Sequence, residues 1–201
     1  MAPRGRQYLL LADEDLMSLV GNGDAGAFGG LYDRHSRAAY SLAYQMMGQR
    51  QAAEDLVQEA FLQVWRTAGS YRVHRGSVRT WLLSIVRNRS IDQLRSSASH
   101  RRTQDKVEAV APTSHPSEAF AETWRNSQRE QVREVLRGLP PEQLTVLELA
   151  YFSGYTHKEI AELLDVPFGT IKGRMRLGLN KIRESFDSRG GVGDGATSEL
   201  Q

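Results

Sequence analysis

The chain has 201 residues, 40% hydrophobic and 25% charged, with a net charge of +2, the profile of one or two ordinary globular domains. It has no cysteine, and its five histidines are scattered, so disulfides, thiolate chemistry and a zinc-type ligand cluster are not expected. No apolar run approaches the ~18 residues a membrane span needs, and the opening "MAPRGRQYLLLADED" has only a short apolar patch and no cleavage-site pattern, so a cytoplasmic protein without a signal peptide is expected.

In chain order, nearly every periodic segment reads as helix. Residues 1–12 form an N-terminal extension. Asp13 is placed to cap a short helix with Leu16, Leu19 and Val20 inward and Gly21 at its end. Asp24 is placed to cap the next, whose inward stripe is Phe28, Leu31, Tyr32, His35, Ala39, Leu42, Ala43 and Met46, with Gly48 as its stop. A third helix is predicted over 52–67. After the loop "AGSYRVHRGSVR", a fourth is predicted over 78–96. The stretch from Ser96 to Phe120 is rich in Ser, Ala, Thr and Pro with no apolar period, and a flexible linker is expected over 99–119.

The second domain is expected over 120–187. Trp124, Gln128, Val132, Val135, Leu136 and Leu139 mark a helix stopped by Gly138 and the Pro140-Pro141 pair. Pro141 suits the first turn of the following helix, with Leu144, Leu147, Ala150 and Tyr151 inward and Gly154 as its stop. Thr156 and Glu159 form a capping-box pattern ahead of "HKEIAELL". The tail, 188–201, is expected to be disordered. No strand pattern or internal repeat is convincing. The predicted fold class is therefore all-α: two small helical domains joined by a flexible linker.

Charge is unevenly spread. Between Arg72 and Arg102 lie eight arginines and one acid, Asp92; between Val166 and Arg183 lie five Lys/Arg and no acid. Two basic blocks suit a polyanion contacted at two places, or simply two solvated basic faces; charge alone does not decide.

"DVPFGTIKGRMRLGLNKIRES" follows a short helix and a tight turn, the helix-turn-helix arrangement. Its second helix characteristically enters the DNA major groove. At 100° per residue Ile171, Met175, Gly178, Ile182 and Phe186 share one face, while Gly169, Gly173, Arg176 and Asn180 lie opposite, flanked by Lys172 and Arg183 on one side and Thr170 and Leu177 on the other. The outward Gly173 would let the backbone approach DNA, and the inward Gly178 would let the helix approach its neighbour. The alternative is a surface helix with tolerated glycines. Thr170, Lys172, Gly173, Arg174, Arg176 and Lys181 are the candidate duplex contacts.

Two stretches of the first domain carry further signals. In "EDLVQEAFLQVW", Leu56, Val57, Ala60, Phe61, Val64 and Trp65 form a core stripe, while Asp55, Gln58, Glu59 and Leu62 share the opposite face. A leucine among acids on an outer face suits docking onto a basic helix, although an exposed leucine is usually unremarkable in itself. In "TWLLSIVRNRSIDQLRSS", Trp81, Ile85, Asn88 and Asp92 lie along one side, with Arg79, Arg87, Arg89 and Arg95 supplying charge. Exposed aromatics and arginines suit melted DNA, and Asn88 has the donor and acceptor to read an unstacked base. Trp81 can equally be a core tryptophan.

Together, "LYDRH", "AEDLVQEAFLQVW", "SVRTWLLSIVRNRSIDQLR" and "LRGLPPEQLTVLELAYFSGYTHKEIAELLDVPFGTIKGRMR" resemble, in order and spacing, the bacterial extracytoplasmic-function (group IV) sigma factors of the sigma-70 family. The resemblance covers roughly residues 13–186. It implies a region 2 domain at 13–98 and a region 4 domain at 120–187. It implies that Asp55, Gln58, Glu59 and Leu62 dock on the β′ clamp helices of core RNA polymerase. Trp81 and Asn88, with Arg79, Arg87, Arg89, Asp92 and Arg95 around them, would then meet the −10 element. The helix-turn-helix would read the −35 duplex, the β flap would pack on region 4, and an anti-sigma factor, often membrane-anchored, would be a partner. Two positions depart from the family pattern: Gly173 stands where serine is usual, and Leu177 where many members have arginine. No catalytic constellation or cofactor site is visible, and no enzyme activity is expected. A free-standing helix-turn-helix regulator and a helical interaction protein remain as alternatives.

Overall fold

The computed structural model describes residues 6–104 and 134–187. Every regular element among them is helical, in agreement with the predicted all-α class. The chain divides into two compact units, with the boundary at Ser96.

The first unit contains α1 (Arg6–Leu9), α2 (Asp13–Gly21), α3 (Ala25–Met47), α4 (Arg50–Thr67) and most of α5 (Val78–Gln104), whose last residues run past the boundary. Two short 3-10 turns, Ala68–Ser70 and Val73–Arg75, lie between α4 and α5. Asp24 caps α3 as expected: its carboxylate accepts from the backbone N–H of Gly26 and Ala27 and from the Tyr8 hydroxyl. Gly48 ends α3 with φ 70°, the left-handed conformation glycine adopts readily. The buried stripes of α2, α3 and α4 meet in one core with Val78, Leu82, Ile85 and Val86 of α5. Phe28 of α3 bridges to α4 by edge-on contacts with Phe61 and Trp65, at 6.1 and 5.3 Å between centroids.

Three expectations for this unit need correction. Asp13 does not cap α2; Ala12 holds the cap position and makes no side-chain bond. Asp13 is drawn instead to partners distant in sequence, Arg34 Nη1 and His35 Nε2, each 2.7 Å from one of its carboxylate oxygens. Tyr32 is 40% exposed rather than core, its ring lying over Phe61 at 4.7 Å. Finally, α5 runs on to Gln104, past the helix end expected at 96. No glycine or proline occurs between Ser96 and Pro112, so the local sequence supplies no helix breaker there.

The second unit contains α6 (Pro141–Tyr151), α7 (His157–Leu164) and α8 (Phe168–Asp187), preceded by helical residues 134–137. The expected helix residues Trp124, Gln128 and Val132 lie outside the described residues. Pro141 begins α6, where a missing N–H removes no intrahelical bond. The capping box of α7 is complete: Glu159 N–H donates to Thr156 Oγ1 and Thr156 N–H to Glu159 Oε2. Between α7 and α8 lie only Asp165, Val166 and Pro167, with Asp165 left-handed at φ 51°. Pro167 sits just before α8, its carbonyl accepting from the N–H of Thr170 and Ile171.

Val146, Ile160, Ile171 and Met175 form the buried centre. On α6 the expected inward set is partly wrong: Val146 is fully buried, while Tyr151 is 46% exposed. Leu147 and Ala150 do pack on the core, joined by Leu149, but Leu144 does not join it. The apolar residues of α6 surround the helix, so periodicity alone could not select its inner face.

Candidate nucleic-acid and partner interfaces

The outer face of α8 is built as the spacing predicts. Ile171, Met175 and Gly178 are buried, with Ile182 and Phe186 partly so. Gly169, Thr170, Lys172, Arg176, Leu177, Asn180, Lys181 and Arg183 are exposed, and Arg174 is half-buried. The two central glycines differ in surroundings. A Cβ on Gly173 would meet nothing within 4 Å, whereas on Gly178 it would lie 2.9 Å from Leu147 Cδ1 and 3.4 Å from Gln143 Cβ. Gly178 thus permits the close approach of α8 to α6, and Gly173 leaves bare backbone on the outer side. With no acid from Val166 to Arg183, this face carries one sign of charge and can meet phosphates without repulsion.

In the first unit Asp55, Gln58, Glu59 and Leu62 all lie exposed along α4, with Leu62 52% exposed. Beside them a groove of about 420 Å³ is lined by Tyr32, Ser36, Arg37, Tyr40, Glu54, Val57 and Gln58. Leu62 is therefore an exposed apolar residue on a polar face, and Gln58 belongs to both features.

The α5 residues are not all on one open side. Trp81 is half-buried, packed on the core and edge-on to Tyr71 at 5.7 Å. Tyr71 in turn donates its hydroxyl to the Gly76 carbonyl, and burial raises its pKa, so it braces the loop beneath Trp81. Ile85 is buried, which removes it from the outer side on which the spacing groups it. Asn88 and Asp92 are exposed, as are Arg79 and Arg95, while Arg87 is half-buried.

Arg89 of α5 is tied to α4. Its Nε donates to Gln63 Oε1 and its Nη1 to Glu59 Oε2, both at 2.7 Å. The pair joins α4 to α5 and links a residue expected at the polymerase to one expected at DNA. Sequence spacing within either helix could not reveal it, because the contact spans 30 residues.

Sequence reasoning also missed Phe168. It opens α8 with its ring 48% exposed, and Lys172 Nζ stands 5.2 Å from the ring centroid. The available signal was an aromatic next to the turn of the helix-turn-helix. Among the described residues no group of His, Asp and Glu could hold a metal ion, and no helix is long and apolar enough to cross a membrane.

Comparison with known proteins bears on both units. Residues 31–100 match the family model for Sigma-70 region 2, and residues 129–182 match that for Sigma-70, region 4. The chain is 32% identical over 187 residues to the ECF RNA polymerase sigma factor SigK of Mycobacterium ulcerans, covering 92% of this chain and 98% of the relative. It is 30% identical over 174 residues to SigK of Mycobacterium tuberculosis, covering 86% and 92%. A solved structure of Rhodobacter sphaeroides SigE, in complex with the anti-sigma ChrR, aligns at 27% identity over 91% of this chain and 99% of that one, with a TM-score of 0.44. Sequence motifs, two helical units in family order and full-length relatives agree: the chain belongs to the extracytoplasmic-function sigma factors of the sigma-70 family, which act in transcription initiation.

Proposed function

We propose that the chain binds core RNA polymerase through the outer face of α4, reads the −35 element as duplex with α8, and recognises and opens the −10 element with α5. Asp55, Gln58, Glu59 and Leu62 dock on the β′ clamp helices, and the β flap packs on the second unit. Thr170, Lys172, Gly173, Arg174, Arg176 and Lys181 contact the −35 element. Trp81 and Asn88 serve the −10 element, with Arg79, Arg87, Arg89, Asp92 and Arg95 around them. The chain supplies recognition and carries out no covalent chemistry of its own. It works in the cytoplasm and is held in check by an anti-sigma factor.

The observation that carries this reading is the outer face of α8. Exposed cations, an absence of acids and the open backbone at Gly173 meet on the second helix of a helix-turn-helix, where side chains reach base edges. Arg176, opposite the buried stripe, is placed for a bidentate base contact, and Lys172 for a phosphate.

The test is run-off transcription with core polymerase on a genomic promoter library, comparing the wild-type chain with Arg176→Ala. Wild type directs initiation at a defined promoter set that core polymerase alone ignores. Arg176→Ala loses on the order of 1–3 kcal/mol at a single −35 base position. Specific binding to a palindromic site without polymerase, and no promoter activity with it, would instead establish the free-standing regulator.

A further inference from the structure

Phe168 has no role in the reading above. It is the first residue of α8, and nearly half of it faces solvent although it stands one turn before the buried Ile171, at the edge of the face that packs on the core. Lys172 follows one helical turn later, with its ammonium 5.2 Å from the ring centroid, the geometry of a cation–π contact. Beside this pair run Gly169 and Gly173, and a Cβ at either would meet nothing within 4 Å. The first turn and a half of α8 therefore presents an aromatic ring and a cation next to bare backbone.

That combination has a specific complement in duplex DNA. The N-terminal residues of a recognition helix are the ones that reach base edges. The major-groove edge of thymine carries a 5-methyl group, and apolar side chains, phenylalanine among them, recognise it by contact. The open backbone at Gly169 and Gly173 lets the helix sit deep enough for a ring on its flank to reach that methyl group. Stacking on the ring keeps the Lys172 ammonium beside Phe168, where a backbone phosphate flanking the contacted base can accept from it.

We propose that Phe168 is a specificity-determining residue: its ring packs against the 5-methyl group of one thymine in the −35 duplex, and Lys172, held over the ring, contacts the adjacent phosphate. This rests on the assignment of α8 as the duplex reader. It makes Phe168 the reader of an apolar mark and leaves hydrogen-bond readout to Arg176.

The test removes only the methyl group. The full chain is assembled with core polymerase on a promoter duplex recovered from the run-off library, and each −35 thymine on either strand is replaced in turn by deoxyuridine. Wild-type holoenzyme loses about fourfold in affinity at one position, equivalent to ~0.8 kcal/mol for one buried carbon group. Phe168→Ala binds the thymine duplex as weakly as wild type binds the uracil one and is indifferent to the exchange at that position. Phe168→Leu, which keeps apolar bulk, retains sensitivity to the exchange. No deoxyuridine-sensitive position, or a sensitivity that survives in Phe168→Ala, overturns the proposal while leaving α8 as reader. If Arg176→Ala and Lys172→Ala also leave −35 binding unchanged, α8 is not the reader and both assignments fall.

Discussion

The two units differ in how function and stability share residues. Among the described residues, eighteen buried hydrophobics form the core cluster of the first unit, and four form that of the second. In the first unit, α4 and α5 carry the proposed partner-facing residues on outer faces while their inner faces are anchored in a broad core. In the second, α8 supplies two of the four buried residues, Ile171 and Met175, and also all six candidate −35 contacts, interleaved along the same turns. One helix can therefore carry core residues and candidate contacts on the same turns. The consequence is that a substitution on it perturbs folding and binding together unless its face is known.

The sharpest break of this comparison lies on α4. Gln58→Arg combined with Leu62→Arg should abolish co-purification with core polymerase, because two cations then face a basic helix pair. The thermal transition of the first unit should hardly move, since both residues are exposed and such surface changes stay within roughly ±0.5 kcal/mol. Retained co-purification would remove the docking assignment.

Ile171→Ala should be the largest stability effect. Truncation at a fully buried site costs ~2–5 kcal/mol, and Ile171 is one of the four residues at the centre of the cluster described for the second unit. Calorimetry should show its transition lost at 37 °C while that of the first unit persists. Leu82→Ala, also fully buried, should only lower the first unit's transition. If both variants leave both units folded, the contrast in core size has no energetic consequence.

The glycines of α8 give opposite signs on one helix. Gly178→Ala must push the Leu147 side chain aside, its Cδ1 lying 2.9 Å from the new Cβ; overpacking of this kind costs ~1–3 kcal/mol, set against the up to ~1 kcal/mol that alanine gains over glycine in a helix. Gly173→Ala adds a methyl group to open space and should stabilise the helix by up to ~1 kcal/mol, yet weaken −35 binding by holding the backbone off the DNA. Melting and duplex binding measured on the two variants should therefore move in different combinations: both down for Gly178→Ala, stability up and binding down for Gly173→Ala.

Arg89→Ala tests the link between α4 and α5. Its partner Glu59 has a side chain 63% exposed, so the loss should stay below ~1 kcal/mol of stability. An effect on open-complex formation, read by permanganate reactivity of −10 thymines, would exceed that. Equal, small changes in both would make the bridge purely structural.

The smallest effect is pH dependence at the α3 cap. Hydrogen bonds from the Ala27 N–H above all, with the Tyr8 hydroxyl and the Gly26 N–H, hold the Asp24 carboxyl below the ordinary carboxylate value. A depressed folded pKa means its contribution is complete above the unfolded carboxylate value and is lost as pH falls through the folded one. Carboxyl NMR titration should find Asp24 still ionised where exposed aspartates are half protonated. An ordinary midpoint would show that the cap does not hold the charge.

The sequence by itself determined the elements whose signals are local. Asp24, Gly48, Pro141 and the Thr156–Glu159 box each specify a helix end through bonds or backbone conformations spanning a few residues. The one-signed face of α8 is also local, since helical winding at 100° per residue assigns each side chain before any packing is known. Tertiary structure alone decided the contacts that join distant segments. Asp13 leaves the cap role for Arg34 and His35, Arg89 spans to Glu59, and Trp81 settles half-buried on Tyr71. It also chose the inner face of α6, where apolar residues on several sides left the period ambiguous. Long-range partners depend on where helices come to rest, and that follows from summed burial rather than from any local pattern.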